Sequence, residues 1–151
     1  MKIVLQRVKS AKVTRVEDNK IVGEIKSGLF LLLGIKKGDT EKQANELVNK
    51  IIKLRVMSDE NEKMNLSIQD TKMHYETEIL VVSQFTLYAN TKDGNRPSFI
   101  DAEEPTKAKA LYEYMVKKFK ESGLNIQIGS FGDYMKIDCV LDGPVTIVLE
   151  N

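Results

Sequence analysis

The chain has 151 residues, 42% of them hydrophobic, with 23 lysines and arginines against 22 aspartates and glutamates and a formal net charge of +1. That length supports one domain that buries about two thirds of its unfolded surface without a disulfide or metal staple, and the charge balance excludes a global pull toward nucleic acid or an anionic membrane. A single cysteine, Cys139, rules out an intrachain disulfide, which suits a reducing, cytoplasmic setting.

The N-terminal segment has a charge too early and an apolar run too short for a secretory signal. The longest apolar block, residues 28–35, falls far below the roughly 20 residues that cross a bilayer, so a soluble protein is expected. Residues 3–8, 11–16, 21–25 and 29–35 read as a strand meander, with Asp18-Asn19 and Ser27-Gly28 as turn chemistry. The period then changes. Ala44, Leu47, Val48, Ile51, Ile52 and Leu54 recur at helical spacing behind Thr40, with Gln43 placed for a capping box, so a helix is expected over 40–54. Residues 59–67 are polar and read as loop, and 79–88 return to strand, presenting Ser83, Gln84 and Thr86 where a strand runs out.

Residues 90–97 have loop composition and a dense set of hydrogen-bonding groups, as a ligand loop would. Ala108, Leu111, Tyr112, Met115, Val116 and Phe119 give a second amphipathic helix, ended by Gly123 with Leu124 behind it. Residues 125–129 and 135–149 close the pattern as strands, the last interrupted by Gly143-Pro144, while Cys139 in its apolar run reads as core. Strands and helices without regular alternation predict an α+β fold: a largely antiparallel or mixed sheet covered by two main helices, in a single domain over residues 1–151.

The chemical inventory is short. The only histidine, His74, lies in a polar stretch that reads as solvated loop, which argues against a Ser-His-Asp or Cys-His arrangement. One His and one Cys do not make a zinc set, and neither a GxxxxGK[ST] loop nor a GxGxxG fingerprint occurs, so no metal or cofactor is expected. What remains is hydroxyl, amide and backbone chemistry around Ser83, Gln84 and Thr86, a set that can hold an oxyanion but does little proton transfer. Its substrate would be reactive already, or would bring its own hydroxyl. On spacing alone, Thr86 also reads as an ordinary sheet residue and Gly143-Pro144 as a bulge or edge kink.

In order along the chain, Gln6-Arg7-Val8, Gly28-Leu29, the segment KMNLS from Lys63, SQFTLYA from Ser83, GNRPSF from Gly94, FGDYM from Phe131 and GPVT from Gly143 resemble the D-aminoacyl-tRNA deacylase family. The likeness spans nearly the whole chain. It implies hydrolysis of the ester of D-aminoacyl-tRNA, with leakage toward glycyl-tRNA, by a homodimer without metal. It implies an active site lined by Ser83, Gln84, Phe85 and Thr86, and a Gly143-Pro144 pair with a cis bond that enters the opposite subunit's pocket and selects chirality, with Arg7 and Met135 on the same substrate-binding side. Lys92 and Arg96 are the first candidates for tRNA contact, with Lys107, Lys109, Lys117, Lys118 and Lys120 next, the latter five also reading as a solvated helix face. One departure stands out: the family motif Asn-x-Gly-Pro-x-Thr has Leu141 in the asparagine position here, with Asp142 as a possible substitute. That departure keeps one rival open, a binding protein that has lost turnover; a second rival is an editing deacylase for another misacylated tRNA, since domains related to the family handle L or achiral amino acids.

Overall fold

Fourteen residues form the first strand, β1 (Lys2–Arg15), whose alternating burial puts Ile3 and Leu5 into the core. This is a computed structural model and describes residues 1–71, 76–92 and 94–151. The two N-terminal strands expected from sequence are thus one. The exposed Lys9-Ser10 pair is taken up by register slips rather than by a turn, and the slips bend the strand.

β2 (Lys20–Ile25) and β3 (Gly28–Gly34) both run antiparallel to β1, β2 along its second half and β3 along its first. β6 (Glu78–Ser83) lies parallel to β3, β7 (Asn125–Ile128) parallel to β6, and β8 (Met135–Glu150) runs antiparallel along the whole of β1. The sheet is therefore mixed and six-stranded. Gly28 makes the β3–β6 joint: its φ is +152°, and a Cβ there would fall 1.9 Å from the Glu78 carbonyl oxygen.

Helix α1 (Glu41–Lys53) starts on Thr40, which accepts from the Lys42 N–H while the Gln43 side chain accepts from the Thr40 N–H, the expected reciprocal cap. Helix α3 (Pro105–Glu121) begins with proline in its first turn and Glu104 accepting from the Thr106 and Lys107 N–H groups. Gly123 ends it at φ +75°, donating to the Lys120 carbonyl. Leu47 and Ile51 of α1 and Met115 and Phe119 of α3 pack on Leu5, Leu31, Ile79 and Val81 in the main core, each buried side chain contributing about 1.5–3 kcal/mol. On the other face the bent half of β1 brings Ala11 and Val13 against Phe30, Leu80 and Val82 in a smaller core.

Three further sequence expectations need correction. Residues 59–67 are not all loop: β4 (Met57–Ser58) and β5 (Met64–Leu66) form a small hairpin, followed by the short helix α2 (Ile68–Thr71). The strand expected to reach residue 88 stops at Ser83 and turns into a 3-10 segment, Phe85–Tyr88. Cys139 is exposed, because among the described residues β8 pairs with β1 alone and much of it is left exposed. His74 lies outside the described residues. Among those residues, no helix is long and apolar enough to cross a membrane.

Candidate active site

The break at Ser83 builds the site. β6 is held by β3 up to the pair Leu33–Ser83, and the Gln84 N–H still donates to the Leu33 carbonyl at 2.8 Å. The chain then tightens, with the Leu87 N–H closing on the Gln84 carbonyl at 3.3 Å. In such a turn the first N–H groups, here those of Phe85 and Thr86, have no partner within the turn. The start of the turn borders a cavity of about 830 Å³ whose wall includes Ser83, Gln84, Phe85, Phe131, Met135 and Pro105.

Phe85 is 56% exposed and meets Phe99 edge to face, ring centroids 5.1 Å apart. The Gln84 amide donates to the Thr86 hydroxyl, which fixes that side chain beside the exposed turn. Met135 is another lining residue, its sulfur accepting from the Ser130 N–H at 3.2 Å. Glu103 also lines the cavity, and the N–H groups of Glu104 and Gly38 hold its carboxyl below its usual range.

Of the residues singled out from sequence, Ser83, Gln84, Phe85 and Met135 meet around this cavity, and Thr86 adjoins it. Lys92 and Arg96 sit exposed in the loop closed by the Asn90–Ser98 pairing, directly before Phe99. Phe99 and Phe131 were given no role from sequence, although both fall in the GNRPSF and FGDYM segments. Neither segment has a periodicity that points a ring at a cavity.

Arg7, Gly143 and Pro144 lie elsewhere. Gly143-Pro144 is a cis peptide, set in the register slip of β8 between Leu141, opposite Val8, and Thr146, opposite Gln6. Gly143 has φ +116°, and a Cβ there would come within 2.9 Å of the Val145 side chain. Both turn residues are exposed. The buried Arg7 ties the turn down: its Nε lies 3.0 Å from the Asp142 carboxylate, while Nη1 donates to the Val56 carbonyl at 2.8 Å and to the Ser58 hydroxyl at 3.2 Å. Asp142 thus anchors the turn in a chain that has Leu141 in place of asparagine. From strand rise and spacing, the turn lies roughly 15 to 20 Å from Ser83 of the same chain.

A chain from Aquifex aeolicus named D-aminoacyl-tRNA deacylase is 52% identical over 151 residues, covering 100% of this chain and 98% of that one. Another of the same name from Fusobacterium nucleatum is 49% identical, covering 100% and 96%. Among solved structures, one described as c-Myc DNA Unwinding Element Binding Protein superposes with a TM-score of 0.89 at 39% identity, covering 100% of this chain and 99% of that chain. A probable eukaryotic D-amino acid tRNA deacylase superposes at 0.82 over 98% and 97% of the two chains, and its 16% identity speaks for the fold alone. With a family model that matches residues 4–150, this chain belongs to the D-Tyr-tRNA(Tyr) deacylase family.

Proposed function

We propose that the protein hydrolyses the ester joining a D-amino acid to the 3′ end of tRNA, in the cytoplasm, as a homodimer with composite sites. The observation that carries this reading is the cavity at the end of β6, where the strand stops at Ser83 and passes into a 3-10 turn whose Phe85 lines a largely apolar hollow. Relatives at about half identity over their full length bear the matching name.

The N–H groups of Phe85 and Thr86 hold the ester carbonyl while water attacks, with Ser83 and Gln84 in support. The tetrahedral oxyanion then collapses and expels the ribose oxygen, which takes the proton that the attacking water has lost. Donors set to receive an oxyanion are worth roughly 3 to 4 kcal/mol each. An aminoacyl ester is labile, and the neighbouring ribose hydroxyl is positioned to assist, so this scheme needs no imidazole base.

Gly143 and Pro144 of a second copy form the chiral wall. Their distance from the cavity of their own chain favours delivery in trans, and the Arg7–Asp142 contact keeps the turn stiff. Main-chain carbonyls there accept the α-ammonium of a D residue and collide with the β-carbon of an L residue. Met135 closes the opposite side. Lys92 and Arg96 meet the phosphates of the acceptor end.

The test compares D-tyrosyl-tRNA, L-tyrosyl-tRNA and glycyl-tRNA. The D ester should be cleaved fast, the glycyl ester more slowly and the L ester hardly at all; brisk cleavage of L-alanyl-tRNA would overturn the wall. In single-turnover assays Thr86→Ala should keep most of its rate, because the backbone carries the chemistry. Sedimentation at assay concentration should give a dimer, and an active monomer contradicts the shared site.

A further inference from the structure

Beyond Pro105, Phe131 and Gly132, which line the main cavity, a second hollow of about 510 Å³ opens along the outer side of α3, bounded by Thr106, Lys109 and Glu113. The ridge between the two is rigid. Phe131 packs on Tyr112, ring centroids 5.7 Å apart, and the Tyr112 hydroxyl donates to the Val81 carbonyl at 2.9 Å, so the ridge is fixed to the central sheet.

We propose that this hollow takes the penultimate nucleotide of the substrate's single-stranded 3′ end, with Lys109 meeting the phosphate that joins it to the terminal nucleotide. The inference rests on the deacylase reading. An ester held at Phe85 and Thr86 puts the terminal nucleoside in the main cavity, and its 5′-phosphate leaves over the wall that the two hollows share. An aromatic ridge beside a lysine is what single-strand sites use, a stacking surface with a cation following the backbone.

Among the lysines of α3, Lys109 is the one placed for this task. Lys107 lines a different hollow, shared with Asp39 and Glu41 beside α1, and Lys118 is paired with Glu121 at 2.8 Å. Lys109 sits 4.0 Å from Glu113, with side chains 58% and 63% exposed, a pairing loose enough for a phosphate to replace. Glu113 opposes that phosphate, which gives the proposal a sign as well as a magnitude.

The experiment measures kcat/KM on D-tyrosyl-tRNA and on D-tyrosyl-adenosine, which lacks the penultimate nucleotide. Lys109→Ala should lower the value on the tRNA by roughly five- to tenfold at low salt and flatten its salt dependence by about one phosphate's worth, and should leave the adenosine ester unchanged. Glu113→Gln should raise the tRNA value, and Lys50→Ala on α1 should change neither. Loss on both substrates alike, or no loss on the tRNA, overturns the subsite while leaving the deacylase reading intact. A wild-type protein inert on both esters overturns the two together.

Discussion

Arg7 is the residue whose removal is expected to tell most. Its guanidinium bridges the Val56 carbonyl, the Ser58 hydroxyl and the Asp142 carboxylate from a position only 8% exposed. Arg7→Ala leaves a buried carbonyl unpaired, so a loss of about 1 to 3 kcal/mol is expected in urea unfolding. Asp142→Asn keeps the shape and removes the charge. Its expected signature is a smaller D/L rate ratio on tyrosyl-tRNA with a nearly unchanged unfolding midpoint; an unchanged ratio would detach Asp142 from the turn's stiffness. Sequence reading reached Leu141 as a departure and Asp142 as its possible substitute, but not the partner: the contact joins residues 7 and 142, and no local pattern connects them.

The helices and their caps were the most legible elements, because their signals are local. Thr40 and Gln43 sit three residues apart and close the cap on α1 as their chemistry dictates; Thr40→Ala should cost about 1 kcal/mol in chemical denaturation. The bend of β1 and the stop at Ser83 were not legible. β1 bends because its neighbours slip in register, and residues 85–88 leave the sheet where pairing with β3 ends, both being properties of partners distant in sequence. Cys139 was misread for a similar reason, since an apolar run does not reveal that it lies on an exposed stretch of an edge strand. At the β1–β2 turn, Arg15 lies 2.6 Å from Asp18 and, by hydrogen bonding, holds that carboxyl at about 2, below its ordinary 3.8. A depressed carboxyl stabilises the fold above its ordinary value and ceases to as pH falls through the folded one. The urea midpoints of wild type and Asp18→Asn should therefore differ at neutral pH and converge as pH drops from about 4 toward 2.

At the scale of the molecule, the two parts of the proposed chemistry occupy different places in a single chain: the strand-end turn at residues 83–86, and the cis pair at 143–144. The cis pair sits on the edge strand β8, separated from the turn by β1 and β3, and Val140, Leu141 and Val148 of that strand are more than 40% exposed, an apolar row of the kind that suits a contact with a second copy. That separation has a genetic corollary. Two defective alleles, one lesioned in the turn of 83–86 and the other at Gly143, should rescue each other when co-expressed. Under the proposed composite site, each heterodimer would gather both lesions in one pocket and leave the other pocket whole, so random pairing should restore roughly a quarter of the wild-type sites; no rescue would contradict the shared site.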